Sequence, residues 1–215
     1  MKKRIVITAS VVIAVLCVLL FSSCSNNNEA LTEAAEAKTF KEQMDIAMQN
    51  ADDNTVLATV NGVEITQTNK DVYLISGEDY SVDELVKIFV IADFAEKQGL
   101  EINQNAKNRI DSLRTSMEND NIVNEEYCIE TYGISKEQVI EYMVNRSKQI
   151  WLNSAFSDMI IEQVTSGECP KIYPSLQTAY DKFEKEKLNK GSKAWDDIEN
   201  AYYEMIAQDY EIVIY

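Results

Sequence analysis

Cys24 stands where a thiol can be put to use. Phe21-Ser22-Ser23-Cys24 sets two small side chains directly ahead of it. They follow a basic start, Met1-Lys2-Lys3-Arg4, and an uncharged apolar run from Ile5 to Phe21. This order reads as an export signal, residues 1–23, ending in a lipobox-like cleavage site. A signal peptidase needs small side chains before the cut, and lipid attachment needs the thiol of the first retained residue. The expected mature chain begins at Cys24, held to the membrane by lipid. Phe21 departs from the pattern, since Leu, Val or Ala is commoner there. The alternative is an uncleaved signal anchor, for which residues 5–21 are at the short limit of a span. Both readings put residues 25–215 outside the cytoplasm, because positive charge stays inside.

Other chemistry is largely excluded. The chain has no histidine. That removes Ser-His-Asp and Cys-His catalysis, His-ligated zinc and the commonest acid–base group near neutral pH. Cys128 and Cys169 remain in the body, where an exported pair could form a disulfide or stay as two separate half-buried thiols. Glu125-Glu126 and Asp196-Asp197 could be acid–base pairs, but they fit solvated helix faces better. Asp52-Asp53-Asn54 offers calcium ligands without the spacing of an EF-hand loop. There is no P-loop. The expectation is therefore no catalytic residue, no metal and no cofactor. The 215 residues carry a net charge of −16. Without Lys2, Lys3 and Arg4 the 20 basic residues fall to 17 against 36 acidic, a net charge of −19. Such a body is repelled by nucleic acid and by anionic lipid heads.

The elements that must position any surface are mostly helical. Cleavage leaves about 190 residues, enough for one sizeable domain with an extension. Residues 24–50 read as anchor, Asn-rich tether and a loosely docked helix from Leu31 to about Gln49 with a weak apolar stripe. The domain proper spans 51–215. Thr55–Val60 and Val63–Thr66 flank Asn61-Gly62, the strongest short-range hairpin signal. Capping boxes at Thr68–Asp71, Ser81–Glu84 and Ser135–Gln138 open helices. The second of these helices reaches Gln98 before Gly99 and is apolar on nearly every side, so it should be central. Residues 103–131 read as a long polar helix that can break at Asn119-Asp120-Asn121. The helix after Ser135 runs to about Thr165, with Ile140, Val144, Trp151, Ala155 and Met159 as one buried row and Val139, Met143, Ile150 and Ile161 beside it. Gly167 to Pro174 is a break holding both prolines. Two helices follow, at 175–189 and 194–208, and then a strand, Tyr210–Tyr215. A lone terminal strand needs a partner, so the chain's end is expected to return to the hairpin.

Ala58-Thr59-Val60-Asn61-Gly62-Val63-Glu64-Ile65-Thr66 resembles the opening of the SurA/PrsA-type extracytoplasmic foldases, which begin with a short strand, a Val-Asn-Gly turn, Ile-Thr and then helices. Tyr132-Gly133-Ile134-Ser135 before an acidic helix start is similar to them as well. So are the aromatic helix and final strand after Gly191, while the lipid-anchored signal is similar to the PrsA branch. The resemblance covers residues 55–165 and, more weakly, 175–215. It implies a SurA N-terminal-like helical domain with a small hairpin closed by the C-terminal strand. One departure is large. The family's parvulin prolyl-isomerase domain has no room here, because only about 25 residues separate Thr165 from Gly191. The insertion point near 167–174 is truncated, and the histidines of parvulin sites are missing, so no isomerase residue carries over. The resemblance thus implies a chaperone without the enzyme, whose partners are unfolded or exported polypeptides.

Aromatic faces on long helices can hold such clients, because apolar burial is non-directional. Tyr127, Tyr132, Tyr142, Trp151, Tyr180, Phe183, Trp195, Tyr202 and Tyr203 are the client-binding candidates. The alternative for these side chains is the core. The alternative function is a lipoprotein interaction module with one dedicated protein partner.

Overall fold

A computed structural model of the chain describes residues 40–53, 55–76, 79–167, 176–187 and 189–215. The signal, Cys24, Cys169, both prolines and the expected insertion point lie outside the described residues. The architecture is mostly helical with a small antiparallel sheet. The strands are β1 (Val56–Val60), β2 (Val63–Thr66) and β3 (Ile212–Ile214). The helices are α1 (Gln67–Asp71), α2 (Val82–Lys97), α3 (Gln104–Glu118), α4 (Glu125–Tyr127), α5 (Lys136–Ser166), α6 (Gln177–Lys185) and α7 (Lys193–Ala207). A helical stretch at residues 40–47 precedes them.

β1 and β2 form the expected hairpin, with Val60 opposite Val63 and Ala58 opposite Ile65. Its turn holds Asn61 at φ 49° and Gly62 at φ 79°. Asn and Gly carry positive φ at the least cost, and a turn of this hand matches the twist of the strands. β3 returns antiparallel to the far side of β1, giving the order β2–β1–β3. Thr59 faces Val213 and Val60 faces Ile212. The end of the chain therefore closes the sheet, as its isolated β pattern requires. Ala58 and Ile65 are fully buried on the inner face.

α1 leaves β2 without a loop. Thr66 caps it, taking the Asn69 N–H, while Asn69 Oδ1 takes the Thr66 N–H at 2.8 Å. The capping box thus sits two residues before the expected Thr68, because β2 hands its last residue directly to the helix. Thr68 is buried and donates to the Asn50 carbonyl at 3.1 Å. The boxes Ser81–Glu84 and Ser135–Gln138 form as read. α2 buries Leu85, Val86, Val90, Ile91, Ala92 and Ala95, and it packs on α5, β1 and α7. Its central place follows from apolar residues on nearly every side.

The long helix read over 103–131 ends at Glu118. Asp120 Oδ1 accepts the N–H groups of Ile122 and Val123, each at 2.7 Å, which diverts the backbone from helical bonding. Helix resumes at α4 and passes into a π turn, Cys128–Tyr132. Gly133, at φ 72°, ends that turn. A Cβ there would lie 3.1 Å from Asp52 Cβ, so the site needs glycine both for its φ and for its space.

Two expectations are corrected. The helical stretch at 40–47 is firmly docked, because Met44 and Ala47 are fully buried and Met48 and Ala51 nearly so. Small and flexible side chains gave it a weak stripe, yet they fit closely against a neighbour. On α5, Val139, Ile140, Met143 and Val144 are buried as read, but the second half turns. Leu152, Phe156, Ile160 and Val164 are inside, while Trp151, Ala155 and Met159 are only partly covered. An i+4 row rotates around a 3.6-residue helix, and over 31 residues the buried face follows whichever partner lies alongside. Phe156 meets Phe94 edge-on at 5.9 Å and Tyr202 at 5.2 Å, joining α5 to α2 and α7. Such pairs add roughly 0.5–1.5 kcal/mol beyond burial.

Phe156→Ala is expected to destabilise the fold by about 3–5 kcal/mol, whereas Trp151→Ala should stay within about 1 kcal/mol. Urea denaturation of both variants checks this, and equal losses would restore the row through Trp151.

Candidate functional site

A cleft of about 600 Å³ opens where the hairpin tip meets α2 and α5. Its apolar lining is Val63, Phe89, Ala92 and Leu152. Val63 is 60% exposed although its partner across the hairpin, Val60, is buried. Val63, beside the turn, is left open to the cleft. Four amides, Asn61, Asn69, Asn145 and Gln149, supply the polar lining. Three are fixed by bonds to their side-chain oxygens. Asn61 Oδ1 takes the Glu211 N–H, Asn69 Oδ1 the Thr66 N–H, and Gln149 Oε1 the Tyr73 hydroxyl, each at 2.8 Å. None of these bonds uses the amide NH2 groups. Lys97 pairs with Asp93 at 2.6 Å, and Lys148 pairs with Glu96. Both lysines of the lining are thus matched within the protein, and Glu64 adds one carboxylate with no ion pair among the described residues.

The lining holds no nucleophile set against a base. Among the described residues no group of three or more Cys, Asp or Glu side chains could hold a metal ion. Fixed amides can meet any peptide backbone, and the apolar patch asks only for hydrophobic area. A smaller groove of about 230 Å³ lies between the start of α3 and α5, lined by Leu100, Ile102, Trp151 and Met159. The Arg109 guanidinium stands 5.9 Å from the Trp151 ring centre.

The aromatic candidates divide by burial. Tyr132, Tyr180, Phe183, Trp195 and Tyr202 are core residues, which removes them as client contacts. Phe183 and Trp195 pack ring to ring at 5.1 Å, joining α6 to α7. Tyr127, Tyr142, Trp151 and Tyr203 are partly exposed. None of the nine lines the larger cleft. Its residues come from four separate segments and share no motif. The available signal was Phe89, on a helix with more apolar faces than one core contact needs. Cys128 is a free, fully buried thiol, and Cys169 lies outside the described residues. Burial pushes the Cys128 thiol up, with Glu125 adding to it.

No protein-family profile matches this chain, and no curated protein or solved structure does either. Its reading rests on residues and geometry. No helix among the described residues is long and apolar enough to cross a membrane.

A second cluster holds the helical stretch at 40–47. Asp45 Oδ1 accepts hydrogen bonds from the Tyr127 hydroxyl at 2.6 Å and the Tyr132 hydroxyl at 2.8 Å. Its other oxygen takes Lys41 at 2.7 Å. The two tyrosine rings meet edge-on at 5.4 Å, and Lys41 lies 4.6 Å from the Tyr127 ring centre. Partial burial pushes the Asp45 carboxyl up, but the bonds from Lys41, Tyr127 and Tyr132 together outweigh it and hold the group below the usual range. Lys41 is pushed up to about 12, first by Asp45 and then by Tyr127. Burial, followed by the Asp45 bond, raises the Tyr132 phenol.

Because the Asp45 carboxyl is depressed on folding, its contribution is complete above the unfolded value near 4 and fades as pH falls through the folded value. Asp45→Asn is expected to lose about 1–2 kcal/mol at pH 7, a charged hydrogen-bond loss discounted for a carboxylate about a third exposed. The gap to wild type should narrow as pH falls below the unfolded value and the carboxylate is protonated. Thermal unfolding against pH checks this, and a gap independent of pH would refute it.

Proposed function

We propose that this chain is a lipid-anchored, extracytoplasmic folding helper of the SurA/PrsA type, without prolyl-isomerase activity. It holds exported polypeptides by non-covalent contact. The cleft between hairpin, α2 and α5 carries the reading. It combines an exposed apolar patch with fixed amides and lysines that are paired within the protein. That lining suits extended polypeptide of many sequences and selects weakly between them. The element order supports it too, since hairpin, helices and a closing strand follow one another as in the family the sequence resembles. The signal before Cys24 supports an anchor near the export exit, where unfolded chains emerge. Binding needs neither nucleotide nor cofactor, because the driving force is burial of apolar surface.

The test uses the full chain in nanodiscs and two unrelated, chemically unfolded client proteins at stoichiometric ratios. Light scattering should show aggregation of both suppressed. Val63→Asp with Phe89→Ser should weaken suppression by roughly tenfold in effective concentration, about 1.4 kcal/mol, while Tm stays within a few degrees. Suppression of neither client would sink the holding function and favour a single dedicated partner.

A further inference from the structure

β3 leaves half of its backbone unused. The Tyr215 N–H donates to the Leu57 carbonyl at 3.0 Å, and the Asn61 N–H donates to the Glu211 carbonyl at 2.8 Å. With Val213 opposite Thr59, residues 211, 213 and 215 turn their polar groups to β1. Strand alternation then sends the N–H and C=O of Ile212 and Ile214 outward. Among the described residues no strand lies on that side. Val213 is 39% exposed, Ile214 48% and Tyr215 77%. The opposite edge is blunted. On β2 the outward groups belong to the charged Glu64, and the Thr66 N–H is taken by Asn69.

Charge selects the occupant. Residues 194–215 hold Asp196, Asp197, Glu199, Glu204, Asp209 and Glu211, with no Lys or Arg. Lys182 and Lys193 pair with Asp197, and Lys87 with Glu199. Asp209 and Glu211, at the entry to β3, have no ion-pair partner among the described residues. Lys97 lies over the neighbouring Tyr210 ring at 4.8 Å, and it is held by Asp93. A second copy would bring the same carboxylates and the same net charge of −16, so self-pairing is opposed. We propose that the β3 edge takes a cationic, β-prone, extended polypeptide segment, which pairs with the backbone of Ile212 and Ile214 as a fourth strand. Main-chain bonds supply the attachment, and the carboxylates supply the preference. This rests on the holding of exported chains proposed above and names their recognition mode.

Three short dye-labelled peptides test it by fluorescence anisotropy with the full chain in nanodiscs. One alternates Val and Thr with Lys. The second replaces Lys with Glu. The third keeps Lys but is N-methylated at alternate backbone nitrogens. The Lys peptide should bind at least about tenfold tighter than the Glu peptide at low salt, with the gap narrowing at high salt. N-methylation should weaken it about tenfold, the scale of losing two backbone bonds. Ile214→Pro should do the same, because proline removes an outward N–H and leaves the β1 ladder intact. If that variant unfolds, the N-methylated peptide on the wild-type chain decides. Equal binding of the N-methylated and parent peptides, or of the Glu and Lys peptides, overturns the proposal. So does a dimer in sedimentation that Ile214→Pro dissolves while no peptide binds. Peptide binding without suppression of client aggregation would remove the holding function and leave the edge standing. Suppression without strand-type peptide binding would remove the edge alone.

Discussion

Asn61 is the joint on which the rest of the structure depends. Its backbone takes the positive φ that turns the hairpin. Its N–H reaches the Glu211 carbonyl, and its side-chain oxygen takes the Glu211 N–H, each at 2.8 Å. That clasp joins residues 150 positions apart. Closing such a loop costs on the order of 4 kcal/mol in chain entropy, and an isolated two-stranded hairpin is marginal at best. The sheet therefore persists only because Ala58, Val60 and Ile65 seal its inner face onto the helices. Helices and sheet hold each other, and neither is stable apart.

α2 transmits this constraint. One side covers the sheet, while Phe94 meets Phe156 of α5 and Tyr202 of α7. Lys87 then reaches Glu199 and Asn200 at the surface of α7. A helix committed on so many sides has little apolar surface to spare, and what remains, at Phe89, opens into the cleft. The cleft is a consequence of packing: Val63, beside the turn, is left open to it. At the other end, the 40–47 stretch is tied by Asp45 to Tyr127 and Tyr132, so this segment is part of the body.

Features that depend on a few adjacent residues were legible in the sequence. Asn61-Gly62 specified the turn, Ser81–Glu84 and Ser135–Gln138 specified helix starts, and the unpartnered apolar run at 210–215 implied β3's return. Features set by tertiary partners were not. Thr68 looked like a cap because nothing local showed that Thr66, the last strand residue, would itself cap the helix. The buried face of α5 shifted to Phe156 once Phe94 and Tyr202 lay beside it. Met44 and Ala47 form a narrow stripe that gains its value from a close-fitting neighbour. Tyr132, Tyr180 and Tyr202 went to the core, the alternative the sequence left open, for a physical reason. A buried Tyr with a partner for its hydroxyl is as much a core residue as Phe, and Tyr132 has Asp45 while Tyr73 has Gln149. Composition reports the hydroxyl and not its partner. The cleft was illegible because it exists only after four segments meet.

The placement of charge separates two kinds of contact. In the cleft each lysine has its own carboxylate and Glu64 is left over, so the local field is weak and, under the proposed function, a ligand is judged mainly by its apolar area and backbone. Along 194–215 carboxylates exceed cations, and their field extends about a Debye length, roughly 10 Å at moderate salt, before screening removes it. A chain approaching this protein meets the long-range field first and the short-range apolar contact second. Attraction of that order raises the rate of encounter without demanding a particular sequence, while burial determines how long the encounter lasts. Matched pairs inside the cleft are what keep the two effects apart. Were Lys97 and Lys148 unpaired, the cleft would itself sort partners by charge. With Asp93 and Glu96 beside them, these lysines contribute little, and under the proposed function charge selection falls to the acidic 194–215 segment.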